Sequence, residues 1–202
     1  MMQLKPVVIG LILLSIGMAT IIPIQMIFAN ESEWNSLLSW GNIKEITVYI
    51  ESDFEPNAQK IEIIKSVIQS KLKDKENFFG WNEAITHISY KTETQIPIFT
   101  IINKTHKSDV IIHLTEMESS DPFLGLTKYQ LSNQTIESVS ITLYDFDELD
   151  DSQVEFLARH ELGHAIGLGH TTNPFDLMYP NIDSEFGLIS MFDLISLSEL
   201  YN

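Results

Sequence analysis

Short runs of alternating or continuous apolar residues predict strands between positions 43 and 144. Ile43 to Ile50 alternates apolar and polar side chains, as a half-buried strand does. Ser108 to Leu114 contains a continuous apolar stretch, which predicts a strand in the centre of a sheet. Further strands are predicted at Ile85 to Tyr90, at Leu124 to Tyr129 (a short edge strand), and at Ser138 to Tyr144.

Helices are predicted between the first two of these strands and after the last of them. One helix opens at Glu55-Pro56-Asn57 and ends near Lys75, and its apolar side is formed by Ile61, Ile64, Ile68 and Leu72. A second helix begins at Ser152, which has capping-box spacing to Glu155. Another helix follows near the C-terminus. This order of elements predicts an α/β domain.

Length and composition are those of one globular domain. The chain has 202 residues, of which 44% are hydrophobic and 20% are charged, so it can bury a substantial core. Its formal net charge of −16 repels phosphate backbones, and no basic cluster offsets this repulsion. Nucleic acid is therefore not an expected partner. The expected state is a monomer.

The first 29 residues have the layout of an export signal. Lys5 is followed by an uncharged stretch from Pro6 to Ala29, and the first acidic residues, Glu31 and Glu33, come directly after it. Two interpretations stay open: a signal peptide cleaved after Ala29, and an uncleaved membrane anchor formed by residues 6–29. Both predict a secreted or extracellular protein, with residues 30–42 as a lead-in segment and residues 43–202 as the domain.

The chain contains no cysteine, so an exported domain must rely on its core, on bound metal ions, or on both. The acidic stretch Asp145 to Asp151 is a candidate calcium site, because Ca²⁺ prefers carboxylate oxygens. The same residues precede a helix, where acidic side chains are favourable without any metal. We favour this second explanation and keep Ca²⁺ as the alternative.

Residues 160–170 carry the strongest chemical signal. His160 and His164 are one helical turn apart, so their imidazoles project from one face and can bind one ion. Glu161 lies about 100° around the helix from His160, where it can reach a water at that ion without being a ligand. Gly167 can adopt a left-handed conformation that ends the helix and returns His170 to the same ion. Three neutral nitrogens leave the fourth position of a zinc ion open, as in catalytic sites.

The pattern H-E-x-x-H-x-x-G-x-x-H followed by a methionine resembles the metzincin proteases, and Leu177-Met178-Tyr179-Pro180 resembles the methionine turn of the matrixins. Asp193 to Tyr201 is similar to the last helix of the matrixin catalytic domain. The resemblance is strong from Ser152 to Asn202. It implies a twisted, mostly parallel sheet of about five strands with an active-site helix and a C-terminal helix. It also implies that Met178 packs beneath the zinc ligands and that Asp193 supports the turn.

This resemblance implies a zinc-dependent endopeptidase that hydrolyses proteins or peptides. His160, His164 and His170 would bind one catalytic Zn²⁺, and Glu161 would be the general base for the metal-activated water. The substrate would pair with the Leu124–Tyr129 edge by strand addition. Two alternatives stay open: a non-catalytic exported module in which zinc stabilises the fold, and a surface adhesion domain.

Two matrixin features are missing from this sequence. A cysteine switch requires a cysteine, and the chain has none. The interleaved histidines and aspartates of the family's structural zinc site are not recognisable around His106 and His113, so no second zinc is expected.

Overall fold

The computed structural model describes residues 38–103, 108–120, 123–180 and 187–202. The predicted leader at residues 1–29 and most of the lead-in segment lie outside the described residues. Among the residues that the structure describes, no helix has the length and apolar character needed to cross a bilayer. The domain boundaries given above stay a prediction.

A five-stranded sheet forms the centre of the fold. Its strands are β1 (Glu45–Ser52), β4 (Ile98–Ile101), β5 (Val110–Leu114), β6 (Gly125–Ser132) and β7 (Thr135–Leu143). Their order is β4-β1-β5-β7-β6, and all neighbours are parallel except β6 and β7. The mostly parallel sheet, the central position of β5 and the edge position of β6 confirm the predictions. Strands β2 (Lys73–Asp74) and β3 (Asn77–Phe78) form a separate short hairpin.

Four helices pack against the sheet and one another. They are α1 (Ala58–Gln69), α2 (Trp81–Thr92), α3 (Asp151–Ala165) and α4 (Met191–Leu200). Helix α3 lies against β6, β7 and α1, while α2 contacts α1, α4 and β4. The Trp81 indole of α2 is fully buried and donates a hydrogen bond to the Arg159 carbonyl of α3, with a nitrogen–oxygen distance of 2.9 Å. This contact ties α2 to the helix that carries the histidine motif.

One predicted strand is wrong. Ile85 to Tyr90 is part of helix α2, whose buried positions are Trp81, Ala84, Ile85 and Ile88. Their spacing of three and four positions is helical, but six residues are too few to separate that period from alternation. Strand β4 was not predicted, because only four residues form it.

Two helix boundaries also differ from their predictions. Helix α1 ends at Gln69 rather than near Lys75, because the chain continues into the short hairpin. Helix α3 begins earlier than predicted. Its capping box is formed by Asp150 and Gln153 instead of the Ser152–Glu155 pair.

Candidate metal centre and active site

Three histidines from two parts of the chain converge at the C-terminal end of α3. His160 and His164 project from the helix, and the chain beyond it brings His170 to the same point. One ligand atom of each histidine lies within 4.8 Å of those of the other two. The Nε2 atoms of His164 and His170 are 3.1 Å apart. Within the described ranges, this is the only group of three or more histidine, cysteine or acidic side chains that converges in this way.

Backbone carbonyls orient two of the imidazole rings. The Nδ1 atom of His160 lies 2.8 Å from the Leu177 carbonyl oxygen, and Nδ1 of His164 lies 2.8 Å from that of Leu168. Because a carbonyl only accepts, each Nδ1 carries the proton and each Nε2 keeps its lone pair. Burial lowers the pKa of His164 to about 3 and that of His170 to about 4, and it lowers the pKa of His160 strongly as well. All three rings are therefore neutral at pH 7.

The three rings fit a zinc ion. Zinc–nitrogen bonds of about 2.0–2.1 Å in a tetrahedron place two ligand nitrogens about 3.3–3.4 Å apart. The 3.1 Å separation of the His164 and His170 Nε2 atoms is close to that value. Neutral imidazoles oriented by a second hydrogen bond are the usual donors at such a site. The donor chemistry and the spacing thus both suit Zn²⁺.

The Glu161 carboxyl group is held beneath strand β6, with only 1% of the residue exposed. The Thr127 hydroxyl donates a hydrogen bond to Glu161 Oε2, with an oxygen–oxygen distance of 2.6 Å. A Cβ atom at Gly125 would lie only 2.3 Å from Glu161 Oε1, so any side chain there would displace the carboxyl group. Burial raises the pKa of Glu161 to about 8, and the hydrogen bond from Thr127 opposes this rise.

The family model of the matrixins matches residues 69–202, a range that includes the three histidines and Glu161. The chain belongs to the matrixin family. It is 40% identical over 67 residues to matrilysin from Rattus norvegicus, and this match covers 29% of the chain. The same match covers 25% of matrilysin, so the chain spans a quarter of that relative's length. Membership confirms the resemblance drawn from the motif and places the chain in a family of metallopeptidases.

The methionine turn of this matrixin packs against α3 beneath the metal motif. A Cβ atom at Gly163 would lie 2.5 Å from the Met178 sulfur, so the turn touches α3 between two of the histidines. The amide of Thr171 donates to the Met178 carbonyl at 3.0 Å, which joins the turn to the residue after His170. The structure therefore shows Met178 in the packing position that the family resemblance implied.

Two buried aspartates fix the other side of the methionine turn. Asp176 accepts a hydrogen bond from the Met178 amide at 3.0 Å, and Ser190 donates to Asp176 at 3.3 Å. Asp193 accepts from the Ser190 amide at 2.8 Å, which caps α4. Burial, the Asp176 charge and a hydrogen bond between the two carboxyl groups raise the pKa of Asp193 to about 8. Asp193 thus supports the turn through Ser190 and Asp176.

Gly167 ends α3 as predicted, with a φ of +110°. Its amide donates to the His164 carbonyl at 2.7 Å, and the Leu168 amide donates to the Gly163 carbonyl at 3.0 Å. The backbone of Leu38 lies against this glycine, since a Cβ atom would stand 2.0 Å from the Leu38 carbonyl oxygen. The turn that delivers His170 therefore requires glycine for both its conformation and its space.

Side chains from three distant segments satisfy the last carbonyls of α3, at residues 164–166. The Tyr129 hydroxyl donates to the His164 carbonyl at 2.7 Å. The Trp40 indole donates to the Ala165 carbonyl at 2.8 Å, and the Tyr201 hydroxyl donates to the Ile166 carbonyl at 2.9 Å. Carbonyls at a helix end lack the usual partner four residues on, so these three donors, together with the Gly167 amide at His164, hold the end of α3. The sequence motif did not reveal them, because each lies at least 35 residues from its acceptor.

The acidic stretch Asp145 to Asp151, the candidate calcium site, does not form a metal cluster in the part of the chain that the structure describes. The carboxylates of Asp145 to Asp151 are not among the converging groups of the described residues. Asp150 instead caps α3, and Asp151 accepts a hydrogen bond from Gln59 at 2.5 Å. Calcium therefore has no support here. His113 lies 3.4 Å from a Glu51 carboxylate oxygen, whereas His106 falls outside the described residues.

Proposed function

We propose that this matrixin is a zinc-dependent endopeptidase, with the metal bound by His160, His164 and His170 and with Glu161 as general base. The observation that carries the proposal is the convergence of three neutral imidazoles next to a buried carboxyl group. A zinc ion bound there supplies a Lewis acid that lowers the pKa of water, polarises a carbonyl oxygen and favours the ionised form of Glu161.

Glu161 supplies the proton transfers of peptide hydrolysis. Its carboxylate takes a proton from the attacking water as the oxygen bonds to the carbonyl carbon of the substrate. The same carboxyl group then delivers the proton to the leaving nitrogen as the carbon–nitrogen bond breaks. A buried site that raises the pKa of Glu161 suits a group that must accept and release a proton near neutral pH.

An extended substrate would pair with the edge of β6 that has no neighbouring strand among the described residues. This strand ends the sheet on one side, and Gly125 and Thr127 on it contact Glu161. The opposite edge is less available, because the Asn82 side-chain amide bonds both the amide and the carbonyl of Phe99 in β4, at 2.9 Å and 2.8 Å. A peptide added to β6 would therefore run beside the proposed general base.

Glu161→Gln tests the proposal because it keeps the shape of the side chain and removes its basicity. We expect this variant to bind zinc like the wild type and to cleave a mixed peptide library about 10²–10⁴-fold more slowly. Glu137→Gln, at an exposed position of β7, is the matched control and should cleave normally. Undiminished cleavage by Glu161→Gln would refute the assignment.

The alternative of a non-catalytic zinc module makes a different prediction. Such a protein would bind zinc and lose stability with a chelator, yet it would cleave no peptide in the library. The presence of the buried Glu161 beside the histidines favours the catalytic interpretation, because a purely structural metal site does not use that residue.

We further propose that residues 1–29 direct export and that residues 43–202 form the protease domain. The support is the charge pattern of the first 33 residues. N-terminal sequencing of the protein recovered from the medium and from membranes would separate a cleaved signal peptide from a retained anchor.

A further inference from the structure

The inner face of β6 touches the metal motif at every second residue. A Cβ atom at Gly125 would meet Glu161, the Thr127 hydroxyl bonds Glu161, and the Tyr129 hydroxyl donates to the His164 carbonyl. Alternate residues of a strand point to the same face, so these three positions form one row over α3. The strand proposed to bind substrate is therefore also the strand that holds the proposed general base.

Thr127 holds the Glu161 carboxyl group through a short hydrogen bond between two buried side chains. The hydroxyl lies 2.6 Å from Oε2, and the two residues are 3% and 1% exposed. Thr127 is β-branched and lies in a strand paired with Ile141 of β7, so its hydroxyl has few accessible positions. An unrestrained glutamate side chain samples several rotamers, and this contact restricts them before substrate binds.

Gly125 limits the position of the second carboxyl oxygen. A Cβ atom there would lie 2.3 Å from Glu161 Oε1 and 2.7 Å from Leu157 Cδ1. Any side chain at this position would push the carboxyl group away from β6. The missing side chain of Gly125 and the hydroxyl of Thr127 together select one orientation of the Glu161 carboxyl group.

We propose that Thr127 is a positioning residue for the general base, and that its hydroxyl holds Glu161 in the orientation needed for proton transfer. This inference rests on the proposed function. Its physical reason is that a displacement of about 1 Å at a reacting group can slow a reaction about 10²-fold. The competing explanation is that the hydroxyl merely satisfies a buried polar group and stabilises the fold.

The first test compares Thr127→Val with Thr127→Ser in the full-length, zinc-loaded protein. Valine removes the hydroxyl and keeps the branched shape, whereas serine keeps the hydroxyl. We expect valine to lower kcat about 10–100-fold with KM changed less than about twofold, and serine to recover most of kcat. Zinc affinity, measured by chelator competition, should stay within about twofold of wild type in both variants, because neither change reaches a ligand.

A double variant tests whether Thr127 acts through Glu161. Adding Thr127→Val to Glu161→Gln should lower the residual rate by less than about twofold, since the group that Thr127 orients is already disabled. If Thr127 acted by distorting the substrate edge, the two losses would multiply. Should the valine variant fail to fold, Thr127→Ala, which also lacks the hydroxyl, takes its place with the same expectations.

The outcomes separate this inference from the proposed function. A wild-type protein that cleaves no peptide while it holds zinc overturns the proposed function, and the inference falls with it. An active wild type with an inactive Glu161→Gln variant supports the function. In that case, wild-type kcat in Thr127→Val, equal losses in the valine and serine variants, or multiplied losses in the double variant would overturn the inference alone.

Discussion

Replacing Gly167 with alanine tests how the end of α3 delivers His170 to the metal site. Two costs add at this position. At a φ of +110° an L side chain is strained by about 1–3 kcal/mol. The new Cβ atom would also lie 2.0 Å from the Leu38 carbonyl oxygen, and relieving such an overlap costs about 1–3 kcal/mol.

The free energy of unfolding should therefore fall by about 2–6 kcal/mol in Gly167→Ala. Because a domain of this kind is stable by about 5–15 kcal/mol, most of that range still leaves a folded protein. Urea titration of the metal-free protein measures the change. Gly41→Ala is the matched control: its φ is +65°, but its Cβ atom would meet only the Thr135 methyl at 3.3 Å. The free energy of unfolding of Gly41→Ala should fall by only about 1–2 kcal/mol.

A second measurement connects this turn to metal binding. A ligand that binds only the folded state raises its stability in proportion to the logarithm of ligand concentration over Kd. Displacing the Gly167 turn should move His170 and weaken zinc binding, so added zinc should raise the melting temperature less in Gly167→Ala than in Gly41→Ala. Equal losses of stability in the two variants, with equal stabilisation by zinc, would contradict this role of Gly167.

Two further predictions concern the C-terminal end of α3 and the methionine turn. Trp40→Phe removes the donor to the Ala165 carbonyl and should lower the free energy of unfolding by about 1–3 kcal/mol in urea, whereas Tyr90→Phe, on a ring that is 88% exposed, should change nothing. If the two variants are equally stable, the indole bond does not hold the helix end. The raised pKa of Asp193 means that the folded state keeps a proton that the unfolded chain releases above about pH 4. Its contribution to stability is thus complete below pH 4 and is lost as pH rises to about 8. Asp193→Asn should remove that loss, so its stability relative to wild type should rise between pH 4 and 8. A difference that is constant with pH would contradict the assigned pKa.

The sequence alone determined the features that depend on local geometry. In any α-helix the spacing of His160 and His164 places them on one face, and a glycine at the position of Gly167 is a common helix end. The continuous apolar stretch around β5 and the family motif likewise indicated a central strand and a matrixin domain. The placement of the two histidines follows from the helical period of 3.6 residues, which is visible within a single segment, whereas the matrixin domain was implied by the resemblance of the motif.

Only the tertiary structure decided which distant residues complete the site. Thr127 is 34 positions from Glu161, and Trp40 is 125 positions from Ala165. Their contacts depend on how β6 is registered against β7 and on where the segment before β1 meets the end of α3. A one-residue shift of β6 would turn Thr127 away from α3, and the register at Thr127 depends on the irregularity between Gln130 and Leu131, which was not predicted from the sequence. The motif therefore identifies the histidines and the glutamate, while the packing of the sheet over the helix determines how the glutamate is held.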